Sequence, residues 1–592
     1  MERERPMVSP TPYSPSAFFI YIFCLLILFG DASPFRAMAG KVEPGLVKRI
    51  ALGNAGQQYS VWVFFNDKGP IDSASYEREI SLRGLRIPER TRFRRAKCLP
   101  AERVVDFYDI PVYERYVESV KRFGVRVRVC SRWLNGISVF ATGDQIREIA
   151  ELPFVRSVES VKSFRRGKSP SADSVAPISL KSLVSHPIDY GSSLGQLEQI
   201  GVPELHRQGY HGEGVRICVL DSGFDNLGHE AFRELQIVDQ WDFVDGNADV
   251  SGDGHGTHVL SVLGGFAEGK LVGPAFRAQF LLARTEDVRT ETPIEEDYWI
   301  AGLEWGELNG ASIVNSSLSY FEWDPGAGVN YTWKDLDGRH GRTSLAADIA
   351  ASKGVLVVNA IGNAGPDGYL GTPADGRNVL SVGAVDQYGV LAGFSSRGPT
   401  YDGRIKPDVV AQGVAVVFAS AHDPDEYYVN NGTSFSTPLV TGVCALLLQM
   451  HPDWTPSAVA RALRQTAIDL GPPGPDNLYG WGLVNAPRAA EFQPEAGPPT
   501  IARKIYNYPN PVGEEGTKIA ISDLTKTDLR VDIFTVSGQL VRSLWGFMEQ
   551  GNGEFVFWDG KNREGRKVDS GIYIYRISTK GFEVRGKMAV VR

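Results

Sequence analysis

The chain has 592 residues and a formal net charge of −8, from 62 lysines and arginines against 70 aspartates and glutamates. That balance argues against a nucleic-acid partner, which needs a broad basic surface. With 43% hydrophobic and 22% charged residues, and 64 glycines and 35 prolines that follow no Gly-X-Y period, wholesale disorder and fibrous repeats are excluded and loop-rich α/β or β domains are favoured; the length suits about three or four of them.

Phe18 to Gly30 (FFIYIFCLLILFG) is an apolar run too short to span a bilayer comfortably and right for the apolar part of a signal peptide. Ala37-Met38-Ala39 offers small residues for cleavage, so residues 1–39 are expected to be a signal peptide and the mature chain to be exported; a short membrane anchor is the alternative. Five cysteines cannot form a framework of the small secreted kind. Cys218 and Cys444 sit in apolar runs and are expected as buried free thiols, while spacing leaves a Cys98–Cys130 bridge open.

Residues 41–163 carry strand-like runs at Tyr59–Phe65, Val125–Cys130, Gly136–Ala141 and Phe154–Val161. Helical spacing appears at Tyr113–Val120 and Gly143–Glu151, which together predict a small α+β domain. The Arg-rich run Arg83 to Lys97 is read as a solvated face of this domain or as pairing for an acidic catalytic surface, in preference to a nucleic-acid patch. Residues 164–190 are polar and rich in Ser and Pro, a linker. In residues 191–492, apolar runs such as Val215–Leu220, Ser312–Asn315, Gly354–Asn359 and Val379–Val382 alternate with helical stretches. This predicts a parallel sheet covered on both faces. A Pro-rich break at 493–503 precedes residues 504–592, where short alternating strands and turns predict a β-sandwich.

Three islands in residues 191–492 bear chemistry. Asp221 ends an apolar strand (VLDSG), the end at which open parallel sheets hold their ligands. His255 lies among glycines in DGHGTHVL, and its neighbour His258 makes a metal site a weaker alternative, with no third ligand nearby. Ser434 (GTSFSTP) opens a long apolar helix, where the positive end of the helix dipole favours it.

In the order Asp, His, Ser, these islands resemble those of the subtilisin-like serine peptidases. The resemblance implies an α/β fold with a parallel sheet flanked by helices and a serine endopeptidase with no cofactor in its chemistry. Ser434 would be the nucleophile, His255 the general base and Asp221 the group that orients it. Asn363 (IGNAG) would be the oxyanion donor, its context favouring it over Asn315. Ser317-Leu318-Ser319 matches the substrate-lining edge strand, although Ser319 departs from the usual glycine and could narrow that subsite. Gly362 belongs to the same lining, and Gly371 matches the floor of the first specificity pocket, where a small residue leaves room for a large apolar side chain. Phe394–Pro399, Lys406–Asp408 and Gly480–Gly482 extend the likeness; Gln412 stands where proline is common.

Residues 41–163 resemble the inhibitory propeptides of this family through Trp133–Val139 and Leu152–Val155, which implies an intramolecular inhibitor removed by self-cleavage between Ser163 and Tyr190. The acidic run Asp242, Asp245, Asp249 and Asp253, with Asp335-Leu336-Asp337-Gly338, leaves a structural calcium open, since family members often bind one. The aromatic insert Tyr320–Trp333 either stacks on substrate or covers the core. Residues 504–592 resemble type IX secretion sorting domains and flagellar-hook-capping-type immunoglobulin-like modules, through Tyr508–Pro511, Ile533–Gly538, Trp558–Gly560, Ser570–Tyr573 and Lys587–Arg592. The first likeness implies an outer-membrane secretion machinery as partner and a secreted or cell-surface location; protein or peptide substrates are the other expected partners, and nucleic acid is not one.

Overall fold

The computed structural model describes residues 40–69, 73–100, 103–161, 186–289, 294–321, 331–366, 370–493, 505–513, 516–521, 527–536, 538–548, 556–578 and 583–592. The expected signal peptide, most of both expected linkers and the middle of the aromatic insert lie outside these residues. The chain forms two compact units, residues 1–493 and 494–592.

The amino-terminal part of the first unit contains α1 (Pro44–Leu52), β1 (Gln58–Phe65), α2 (Ser73–Arg86), α3 (Glu89–Ala96), α4 (Glu114–Lys121), β2 (Arg126–Ser131), β3 (Gly136–Thr142), α5 (Gly143–Glu151) and β4 (Val155–Ser160). Its four strands pair antiparallel in the order β2-β3-β1-β4. A capping box between Thr142 and Gln145 starts α5 where the sequence pattern places it. Successive strand side chains point to opposite faces, and β1 buries both. Tyr59, Val61, Val63 and Phe65 pack with α1, α4 and α5 in one cluster, whereas Trp62 and Phe64 join a second cluster built mainly from residues beyond 217. The unbroken run YSVWVFF is the sequence trace of that two-sided burial.

Further along come α6 (Leu194–Glu198), α7 (Val202–Arg207), β5 (Arg216–Asp221), β6 (Gln236–Asp242), α8 (His255–Gly264), the short pair β7 (Phe266–Ala267) and β8 (Leu271–Val272), β9 (Gln279–Arg284), α9 (Ile294–Leu308), β10 (Ile313–Ser316), α10 (Arg342–Ser352), β11 (Leu356–Ala360), β12 (Val379–Val385), β13 (Val409–Gln412), the hairpin β14 (Val416–Ala419) and β15 (Tyr427–Asn430), α11 (Thr433–Met450), α12 (Pro456–Thr466) and α13 (Ala486–Glu491). Seven strands form one sheet in the order β13-β12-β11-β10-β5-β9-β6, every pair parallel. The successive strands β9 and β10 flank β5 on opposite sides, so the carboxyl end of β5 is the crevice where such sheets place their chemistry. Helices α8 and α11 cover one face and α9 and α10 the other.

The second unit is all β: β16 (Ile505–Gly513), β17 (Gly516–Ile521), β18 (Thr527–Thr535), β19 (Leu540–Met548), β20 (Val556–Trp558), β21 (Gly571–Ser578) and β22 (Glu583–Val590), in the order β19-β18-β21-β22-β16-β17-β20. Val531, Ile533, Trp558, Tyr575 and Ile577 are among its buried core.

Three helices were not anticipated: α1, α2 and α3. The Arg83–Lys97 run is not simply a solvated face, because Arg94 and Arg95 inside it are buried. All four described cysteines, Cys98, Cys130, Cys218 and Cys444, are free thiols, the last two buried as expected.

Candidate active site

Asp221 is the last residue of β5 and is fully buried. Its Oδ1 accepts from the backbone N–H of Ser222 at 2.8 Å and lies 2.7 Å from Nδ1 of His255. His255 is the first residue of α8, and its own N–H is held by Asp253 Oδ1 at 3.0 Å. Gly223 permits the close approach of the two loops, since a Cβ there would run into the backbone of Asp253. A buried carboxylate on one ring nitrogen fixes the tautomer and leaves the other nitrogen to act as a base.

Ser434 is the second residue of α11 and is 4% exposed. A Cβ on the preceding Gly432 would come within 2.9 Å of Ser434 Oγ, so glycine keeps the hydroxyl clear. Pro438 lies inside α11, beyond its first turn. It has no N–H to give the carbonyl four residues back, which is that of Ser434. Ser317 Oγ donates to this oxygen instead, at 3.0 Å. Ser317 therefore braces the nucleophile's peptide through its hydroxyl. Sequence reasoning missed this role, although the proline four residues after the serine was the signal for it.

Asn363 Oδ1 accepts from both the N–H and the Oγ1 of Thr433, each at 2.9 Å. Its oxygen being committed, the amide NH₂ is the end turned to the site. Asn315 is buried and bonded to Thr441 and Ser317, away from any such role. Leu318 is buried and its carbonyl accepts from Asn359 at 2.9 Å, while Ser319, Gly362 and Gly371 meet beside Asn363. The structure thus gathers the expected residues from β5, α8, α11 and the segments after β10 and β11. Among the described residues, the imidazole's hydrogen-bond partner is Asp221, and Ser434 Oγ makes no bond to it.

The subtilase family model matches residues 212–482, and a model for the Bacteroidota peptidase S8 propeptide domain matches residues 60–175. The chain is 33% identical over 303 residues to subtilisin of Bacillus pumilus, a match spanning 50% of this chain and 98% of that one. The chain belongs to the subtilase family. Subtilisin E of Bacillus subtilis (strain 168) is 32% identical over 333 residues, 55% of this chain and 77% of the relative. Fervidolysin from Fervidobacterium pennivorans, described as a keratinolytic enzyme related to subtilisin, shares the fold with a TM-score of 0.54 at 21% identity, covering 89% of this chain and 71% of its own. This subtilase is accordingly a subtilisin-like serine peptidase carrying a propeptide domain.

The subtilase's propeptide sits on α9, whose outer face, turned away from the sheet, carries carboxylates. Asp297 accepts from Trp62 Nε1 at 2.6 Å, from Ser138 Oγ and from Arg128 at 2.9 Å. Glu304 accepts from Ser131 Oγ at 2.5 Å. Glu307, fully buried, takes Arg94, Arg95 (2.8 Å) and Arg132 (3.2 Å), while Arg95 also pairs with Asp109 at 2.8 Å. Burial pushes the Glu304 pKa up, with Arg132 opposing it only in part. Burial works the same way on Glu307, but the three guanidiniums together hold its pKa below the ordinary carboxylate value. The arginine run thus does pair with an acidic surface of the peptidase.

The acidic segments bear on the calcium question. Arg284 of β9 reaches Asp242 at 2.6 Å and Asp245 at 2.8 Å. Asp249 accepts from the Ser251 N–H and Asp253 from that of His255. Asp335 caps its own turn through Thr332, and Asp337 holds His340 at 3.0 Å. The carboxylates are occupied by a guanidinium and by backbone donors, and no cluster of three or more metal-ligating side chains occurs among the described residues. As placed, Asp242 and Asp245 face the Arg284 guanidinium and not an open cation site. In the aromatic insert, Tyr320 and Tyr331 are buried on the α9–α10 side with their hydroxyls on Glu286 and Glu296, which makes them core cover.

Proposed function

We propose that this subtilase hydrolyses peptide bonds through an acyl-enzyme on Ser434. His255 takes the hydroxyl proton as Oγ attacks the carbonyl, then passes it to the leaving amine; Asp221 steadies the imidazolium formed in between. The serine–imidazole bond is of the kind that tightens when substrate binds. The amide of Asn363 donates to the oxygen that becomes negative, an effect of roughly 3 kcal/mol in the subtilisin relative for which it is known. What carries the reading is the 2.7 Å pair of Asp221 and His255 at the rim where α11 presents Ser434.

A serine-directed fluorophosphonate should label Ser434, and the labelled enzyme should no longer turn over casein. Ser434→Ala should lose about 10⁶-fold in turnover, the magnitude known for subtilisin, and keep its propeptide attached. Labelling at another residue, or undiminished activity in the variant, would defeat the mechanism. The chain is a preproprotein in this reading, exported by residues 1–39 and cleaved by itself between Ser163 and Tyr190, as a new amino terminus in that window would establish. Residues 504–592 serve outer-membrane export; deleting them should trap the enzyme inside the cell, whereas continued secretion with lost surface binding would favour an adhesive module.

A further inference from the structure

We propose that Ser319 closes the first specificity slot and restricts this enzyme to substrates with a small side chain, glycine, alanine or serine, on the amino-terminal side of the scissile bond. The inference rests on the peptidase mechanism above and names its substrate class. Gly362, which immediately precedes the oxyanion amide Asn363, and Gly371 bring two backbones without side chains to one place. Glycine at both positions would by itself leave a slot wide enough for a large apolar group. The side chain of Ser319 stands in that slot. A Cβ placed on Gly362 would lie 3.0 Å from Ser319 Oγ, and one on Gly371 would collide with the same oxygen. The hydroxyl therefore touches both walls.

The backbone on either side of Ser319 is pinned. Tyr320 exchanges two 3.0 Å hydrogen bonds with Thr372, and the Leu318 carbonyl is held by Asn359 at 2.9 Å. A bulky substrate group cannot push the segment aside without breaking this ladder, and an apolar one would also strip water from the hydroxyl without replacing its hydrogen bonds. The room implied by Gly371 alone is thus taken up by a residue from another segment.

The test compares peptide nitroanilides that differ only in the residue next to the leaving group: glycine, alanine, leucine or phenylalanine. The intact mature enzyme should give at least tenfold higher kcat/KM with alanine than with phenylalanine. Ser319→Gly should raise the phenylalanine-to-alanine ratio tenfold or more, within the range a few pocket atoms command. Ser319→Ala, which removes only the hydroxyl and spares the backbone, should raise it by a smaller amount and serves if the glycine variant does not fold. A native preference for phenylalanine or leucine, or a ratio unchanged in a variant that still takes the fluorophosphonate label, would overturn the proposal alone. Failure of the native enzyme to label or to cleave any of the peptides would bring down the mechanism with it.

Discussion

The two faces of the central sheet are buried in different ways. On one face α11 lies among Val259, Leu260, Val382, Val410 and their neighbours, an apolar core drawn wholly from residues after 187. On the other, α9 is covered from outside by Trp62, Phe64 and Trp133 of the propeptide, and it meets them with Asp297, Glu304 and Glu307. An apolar face needs only volume and shape from its cover. A face of carboxylates needs cations and donors, and these depart when the cover does. If the propeptide is removed as proposed, the first burial persists and the second is lost with it.

The largest effect should separate the two. Glu307→Ala leaves Arg94 and Arg95 without their shared carboxylate in the proenzyme, and breaking such a buried set costs about 3–5 kcal/mol. Urea unfolding in a Ser434→Ala background should show that loss, and the processed enzyme should scarcely change. Equal losses in both forms would erase the distinction. Leu439→Ala, in the permanent core, should cost about 3 kcal/mol through its cavity in proenzyme and mature enzyme alike. A loss confined to one form would show that α11 also depends on the propeptide.

A smaller effect concerns pH. The Glu304 pKa is raised in the complex, so its contribution to propeptide binding is fully present below the ordinary carboxylate range and is lost as pH rises through the raised value. Glu307 is shifted down, so its contribution is present above the ordinary range and is lost as pH falls through the lowered value. Propeptide retention should therefore peak between the two. Glu304→Gln should flatten the alkaline limb, which titration calorimetry of isolated propeptide against mature enzyme would show; an unaltered limb would assign it elsewhere.

Much of the site was legible because its information is local. ICVL and LVV are apolar runs since parallel strands are buried on both sides, and Asp221, His255, Asn363 and Ser434 each sit in a short motif. What escaped was set by distant partners. ERTRFRRA looks like a surface segment, and nothing within it announces that Arg94 and Arg95 will meet Glu307 more than 200 residues later. The pairing of the aspartates at 242 and 245 with Arg284 was not legible because their guanidinium belongs to another strand. The bond of the Ser317 hydroxyl to the Ser434 carbonyl was not read from the sequence, because that carbonyl is left free by Pro438, more than 100 residues away.

Arg284 has one further consequence. Its positive charge is attached by peptide bonds to the loops it steadies, so it cannot be washed away, diluted or taken by a competing chelator. The stretch leading from β6 towards His255 therefore has a counter-ion supplied by its own chain.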